Sequence, residues 1–242
     1  MKRFFITIFC ILLHFSEITK GQSRTDEKEL LQTILQFTSQ IYGSDEALIN
    51  GFAYTPHNVN ASGDPFFKSA SYANASISIS DKVFNVESLK FDIAEERLIL
   101  LVTVKSGAKF PILLNNEFIQ YFELYQANFF PATKYFSDNE VKGFVDVVYS
   151  GSFFFVTKYK KEFVKMYTKV DPFGKYSETQ IHHYLIRDGV SRKIKNKKNL
   201  LDAFKPFQKD ISKYMKTNHI KFKKANHQQL VQLLSYCDEL AK

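Results

Sequence analysis

The chain has 242 residues, a formal net charge of +8 and two cysteines. This length is enough to bury a hydrophobic core, and so few cysteines exclude the small secreted domains that depend on disulfides. The charge is uneven: Thr157 to Lys224 holds 19 Lys and Arg against 6 Asp and Glu, whereas the rest of the chain after residue 21 holds 11 against 18. Such a basic segment is either a solvated surface or a face for an anionic partner.

The first 21 residues have the pattern of a secretory signal peptide. Lys2 and Arg3 precede the apolar run FFITIFCILLHF, and the small side chains of Thr19 and Gly21 suit cleavage after residue 21. The apolar run is too short to span about 30 Å of hydrocarbon. We expect an exported protein, periplasmic or extracellular, with no transmembrane segment and no nucleic acid partner. Its mature chain, 22–242, is predicted to be one α+β domain.

A helix is predicted over 25–41, because apolar side chains recur there every three or four residues. The stretch LINGFAYTPHNVNASGDPFF, residues 48–67, follows as a loop in which Asn-Gly and Gly-Asp-Pro favour bends and Thr-Pro favours an extended step. We interpret it as a structural entry to the sheet. If it binds a ligand, Tyr54 and His57 are the candidate contacts.

Between residues 75 and 195 the hydrophobic period changes to two, as in ASISIS, VFNVESLKFD and RLILLVTV. The pairs Ser150-Gly151 and Asp188-Gly189 separate strand-like runs, and Asp-Gly suits a type I′ hairpin turn. No helical pattern interrupts these runs, which argues against parallel crossovers. The prediction is an antiparallel meander of about eight to ten strands, arranged as a curved sheet, a half-barrel or a sandwich.

Two helices are predicted in the C-terminal part, 197–240. The first is opened by Pro206 and is amphipathic, with Lys205, Lys209 and Lys213 on its polar side. This basic face either meets water or contacts an anionic polymer or a membrane surface.

The second C-terminal helix is predicted to begin at Asn226, whose side chain can cap it together with Gln229. Cys237 lies at helical spacing with neighbouring leucines, so we interpret it as a small buried side chain. The alternatives are intermolecular pairing and a reactive thiol.

Catalytic and metal-binding signals are weak. The sequence has no G-x-S-x-G, H-E-x-x-H, paired C-x-x-C or phosphate-binding glycine loop. His182 and His183 are adjacent on a predicted strand, where neighbouring side chains point to opposite faces, so a shared metal ion is not expected. Asp92, Glu95 and Glu96 fall at a predicted hairpin turn and are interpreted as solvated charges. We expect no cofactor and no metal.

Several segments together resemble a family of uncharacterised secreted bacterial proteins. They are Asn50-Gly51 with Tyr54, Gly63-Asp64-Pro65-Phe66-Phe67, VFNVESLKFD, YFELYQANFF, SFFFVTKYKK and the C-terminal NLLDAFKPFQKDISKYMKTNHIKF. In that family an Asn-Gly-x-x-Tyr element and a Gly-x-Pro-aromatic element precede a strand ending in aromatic-Asp. The resemblance implies an exported or cell-envelope location and supplies no established activity.

Three functions remain open. The leading one is a non-catalytic protein of the cell envelope that binds a protein or an envelope polymer. Its contacts would be exposed aromatic side chains or the basic C-terminal region, and Phe and Tyr supply 38 residues of the chain. The second is a carrier of a lipid or lipid-linked molecule in a half-barrel groove. The third is an unrecognised hydrolase, for which no nucleophile, base and orienting group can be named.

Overall fold

The computed structural model describes residues 52–80, 82–103, 107–137 and 140–241. The predicted signal peptide and the predicted helix over 25–41 lie outside these ranges. Within them, no helix is both long enough and apolar enough to cross a membrane.

The described part of the chain contains thirteen strands. They are β1 (Phe52–Ala53), β2 (Ala73–Ile79), β3 (Lys82–Asp92), β4 (Arg97–Thr103), β5 (Lys109–Leu113), β6 (Ile119–Leu124), β7 (Ala127–Pro131), β8 (Phe144–Ser150), β9 (Phe154–Lys160), β10 (Phe163–Val164), β11 (Lys175–Tyr176), β12 (Gln180–Arg187) and β13 (Val190–Ile194). The number exceeds the predicted eight to ten, because β1, β10 and β11 have two residues each and show no period.

Eleven of these strands form one open sheet in the order β1-β5-β4-β3-β2-β6-β7-β8-β9-β12-β13, and every strand pair is antiparallel. Strands β10 and β11 form a separate hairpin. The predicted antiparallel α+β class is confirmed, and one open sheet replaces the sandwich alternative. The Asp188-Gly189 turn is confirmed as well, because both residues have positive φ angles, 51° and 74°.

The sheet curls strongly between β3 and β8. These strands are four positions apart, which would separate them by roughly 19 Å in a flat sheet. The ring centroids of Phe91 on β3 and Phe144 on β8 are nevertheless 6.0 Å apart. Phe122 and Phe129 stack between them with centroids 4.7 Å apart. Packed phenylalanine rings therefore fill the concave side of this half of the sheet.

Three helices follow the last strand: α1 (Lys197–Ala203), α2 (Gln208–Thr217) and α3 (His227–Ala241). Two were predicted, but a 3-10 turn at Lys205–Phe207, with Pro206 in its first turn, separates α1 from α2. Pro cannot donate a backbone hydrogen bond and commonly starts a new helix. The helices pack on the other end of the sheet and form a second core cluster, in which Leu233, Leu234 and Cys237 are fully buried.

The turn after β3 lies where it was predicted, but two of its three carboxylates are not solvated. Asp92 is buried and accepts hydrogen bonds from the N–H groups of Ala94 and Glu95. Glu96 is partly buried and lies 2.7 Å from Nζ of Lys158 on β9. The interpretation as solvated charges is wrong for both. The curled sheet brings Lys158 of β9 against Glu96, and Phe66 in the loop before β2 bridges to Asp92. Glu95 is exposed and contacts Arg97 at 2.9 Å.

Candidate functional site

A cavity of about 640 Å³ lies between the end of the sheet formed by β8, β9, β12 and β13 and the connection from α2 to α3. We call it the basic cleft. Its lining residues are Val148, Thr157, Tyr159, Ile181, His182, His183, Lys193, Ile194, Lys195, Phe222, Lys223, Ala225, His227 and Leu230. The volume is in the usual range for small-molecule sites.

The floor of the basic cleft is apolar. Val148, Ile194, Phe222 and Leu230 are each at most 6% exposed and belong to the core that the sheet shares with the helices. Because these side chains are held in place by the packing of that core, the floor is preformed. An apolar part of a ligand could be desolvated against it.

His183 is packed into the cleft wall beside this floor. Its ring centroid lies 5.3 Å from that of Phe155 and 5.6 Å from that of Phe222, and its Nδ1 lies 2.9 Å from Oγ1 of Thr157. Burial, and then the neighbouring His182, lower the pKa of His183 to about 4. The imidazole is therefore neutral at physiological pH and serves the cleft as a hydrogen-bonding group.

Lysines give the cleft a positive rim. Lys193, Lys195 and Lys223 are exposed and border the cavity, and no Asp or Glu is among the lining residues. The pKa of His182 is lowered by burial first and by Lys193 and Lys160 second. The same positive field that disfavours a protonated His182 favours an anion at this place.

A buried carboxylate lies behind the cleft wall. Asp146 is fully buried, accepts a hydrogen bond from the N–H of Asn128 at 3.0 Å, and accepts one from the hydroxyl of Tyr159 at 3.2 Å. Burial is the main cause that raises its pKa to about 6. Burial, followed by the charge of Asp146, also raises the pKa of Tyr159. The carboxylate fixes Tyr159 at the cleft and does not itself line it.

The residues predicted from the loop lie outside the basic cleft. Tyr54 is half-buried, donates its backbone N–H to the carbonyl of Pro111 at 3.0 Å, and has its pKa raised to about 12, mainly by burial. His57 is exposed, with Nδ1 3.0 Å from Oε1 of Glu95. The structure brings these two near the turn after β3, and their proposed role as ligand contacts remains a prediction.

The predicted basic helix face is also separate from the cleft. Lys205, Lys209 and Lys213 are exposed, and none of them lines the cavity. Lys193, Lys195 and Lys223 were missed as site residues. The high count of Lys and Arg between Thr157 and Lys224 contains all three, so composition marked the region without identifying the positions.

The lining of the cleft offers ammonium, imidazole and hydroxyl groups beside its apolar floor. Within the described ranges no three His, Cys, Asp or Glu side chains converge as a metal site. His182 and His183 both border the cavity. This was not expected, because neighbouring side chains on a strand point to opposite faces of the sheet. Cys237 is fully buried, as predicted, and burial raises its pKa to about 12. Its thiol is therefore protonated and is a poor nucleophile.

Comparison of the chain with protein-family models, with curated proteins and with solved structures finds no match in any of the three.

Proposed function

We propose that this is an exported, non-catalytic protein of the cell envelope that binds an anionic ligand in the basic cleft. The observation that carries the proposal is the pairing of three rim lysines with a cavity that no carboxylate lines. A lysine-lined cleft with low-dielectric walls concentrates negative charge and accelerates its capture. The predicted signal peptide and the resemblance to exported bacterial proteins support the location.

The ligand is proposed to be amphiphilic, with a phosphate or carboxylate group and an apolar part. Lys195 and Lys223 would contact the anionic group at the rim. Lys193, whose Nζ lies over the ring of Tyr184 at 5.7 Å from its centroid, would turn towards it. The buried floor around Phe222 and Leu230 would cover the apolar part. A lipid-linked ligand was one of the alternatives considered from the sequence, and we propose the basic cleft as its site. The concave side of the curled sheet is filled by phenylalanine rings.

Calorimetric titration of the mature chain tests the proposal. The ligands are dodecyl phosphate below its micellar concentration, dodecyl maltoside with the same chain but no charge, and inorganic phosphate with no chain. Dodecyl phosphate is expected to bind most tightly, because only it uses both the lysines and the apolar floor. The triple variant K193E/K195E/K223E should bind it at least 10-fold more weakly, since each lost contact with a partly exposed charge costs about 0.5–1 kcal/mol.

The matched control is K205E/K209E/K213E, which makes the same change in net charge on an exposed helix face that does not line the cleft. It should keep the affinity for dodecyl phosphate within about twofold, because the effect of distant exposed charges is screened by salt. Equal binding of dodecyl phosphate and dodecyl maltoside would contradict the proposal. So would an equal loss of affinity in the two triple variants.

A further inference from the structure

We propose that the loop between β10 and β11 inserts into the surface of an anionic lipid bilayer. We call residues 165–174 the hairpin tip. Four of its large apolar side chains are open to solvent: Met166 is 68% exposed, Tyr167 65%, Val170 84% and Phe173 56%. Such a concentration of exposed apolar groups on one short loop marks an interaction surface.

Lysines are interleaved with these apolar side chains. Lys165 and Lys169 are exposed, and Lys175 follows the tip, whereas Asp171 is the only acidic residue in it. Asp171 lies 3.5 Å from Nζ of Lys175, which leaves Lys165 and Lys169 as the uncompensated charges of the tip. Each lysine near an anionic membrane strengthens binding by roughly fivefold.

The conformation of the hairpin tip is held by its own hydrogen bonds. The N–H of Asp171 donates to Oγ1 of Thr168 at 2.9 Å, and the N–H of Thr168 donates to the carbonyl of Asp171 at 3.1 Å. At the base, the rings of Phe163 and Tyr176 pack with centroids 5.3 Å apart. A loop ordered before contact loses little conformational entropy when it binds.

The segment after β1 extends this surface. Asn58 Nδ2 donates to the hydroxyl of Tyr176 at 3.4 Å, and the N–H of Ser62 donates to the carbonyl of Gly174 at 3.1 Å. These bonds hold a neighbouring turn beside the hairpin. Val59 lies on that turn and is 70% exposed. The loop that the sequence marked as unusual therefore supports the base of the hairpin.

A bilayer suits the alternation of apolar and lysine side chains better than a protein partner does. The cores of protein interfaces are depleted in lysine, because each buried ammonium group must be desolvated. At a membrane, the lysine stem lies along the apolar region while the ammonium group stays at the headgroups. Tyrosine has the same dual character.

The absence of tryptophan from the chain permits a direct test. F173W places a single fluorescent reporter in the tip, and V83W is the matched control, because Val83 on β3 is also 56% exposed. Vesicles of phosphatidylcholine with 30% phosphatidylglycerol should shift the F173W emission to the blue, whereas pure phosphatidylcholine vesicles should not. The V83W emission should stay unchanged with both vesicles.

Binding to the same vesicles, measured by sedimentation of the mature chain, locates the contact. M166S/V170S and K165E/K169E should each lower the partition coefficient by at least about 10-fold. K205E/K209E/K213E should bind within about threefold of the unaltered chain, with unchanged circular dichroism in all variants.

An unshifted F173W emission, or an equal shift of V83W, would overturn the proposal. If the protein sediments with native membranes but not with pure lipid vesicles, its partner is a membrane protein. That result would also overturn the proposal. The cleft proposal is tested by dodecyl phosphate in free solution, so either proposal can fail without the other.

Discussion

At the residue scale, Asp146 couples the cleft wall to pH. Its folded-state pKa is raised to about 6 from the ordinary 3.8, mainly because the carboxylate is buried. Between about pH 4 and pH 6, the Asp146 carboxyl is therefore protonated in the folded state and ionised in the unfolded state. The stability contributed by protonation is fully present below about pH 4 and is lost as the pH rises through 6.

D146N is expected to stabilise the protein at pH 7 and to stabilise it much less at pH 4.5. The amide oxygen can still accept the N–H of Asn128, and no charge is buried. The difference between the ordinary pKa of 3.8 and the folded-state pKa of about 6 sets an upper limit of about 3 kcal/mol on the gain. Urea unfolding at the two pH values measures it.

D188N is the control for this substitution, because Asp188 lies in an exposed turn where Asn also accepts the positive φ angle. Its free energy of unfolding should follow that of the unaltered chain at both pH values. A D146N effect of the same size at pH 7 and pH 4.5 would show that burial of the charge is not its cause.

At the element scale, the start of α3 supports one side of the cleft. Asn226 Oδ1 accepts the N–H of Gln229 at 2.9 Å, and Gln229 Oε1 accepts the N–H of Asn226 at 3.1 Å, which is the predicted capping box. Ala225 and His227, on either side of Asn226, border the cavity. The cap therefore holds both cleft residues in place.

N226A should lower the free energy of unfolding by about 1 kcal/mol, because the N–H of Gln229 loses its acceptor. It should also weaken binding of dodecyl phosphate, since the displaced first turn carries part of the cleft. Thermal unfolding and calorimetry measure the two effects. Q232A, on the exposed side of the same helix, should change neither, and an N226A protein as stable as Q232A would contradict the role of the cap.

At the scale of the whole molecule, the curl of the sheet decides which residues meet. It brings Phe91 and Phe144 into edge contact across four strand positions, and it brings Glu96 to Lys158. Burial raises the pKa of Glu96 and lowers that of Lys158, so each group depends on the other to remain charged. Removing one partner of such a pair leaves an uncompensated charge.

A double-mutant cycle with F91L and F144L tests the curl. Rings in edge contact should couple by about 0.5–1.5 kcal/mol beyond the sum of the single effects. F91L combined with F155L is the control, because Phe155 belongs to the other core cluster and the two effects should add. Additive free energies of unfolding for F91L and F144L would contradict the contact.

The features that the sequence predicted correctly depend on residues close together in the chain. Asp188-Gly189 specifies its turn through backbone conformation, Asn226 and Gln229 specify a cap three residues apart, and Cys237 follows the helical period of its neighbours. The burial of Asp92 and Glu96 could not be predicted, because it depends on contacts between distant parts of the chain. Asp92 bridges to Phe66, and Glu96 meets Lys158 on β9, more than 50 residues later.

The antiparallel strands, the Asp188-Gly189 turn and the helical C-terminal part could all be predicted, because they follow from periodicity and backbone preference over a few residues. The basic cleft, in contrast, is formed by tertiary packing alone. Thr157, His183 and Lys223 come from two strands and a helix connection, and they border one cavity because the helices pack against the far end of the curled sheet. Contacts between residues so distant in the chain leave no periodic signal in it.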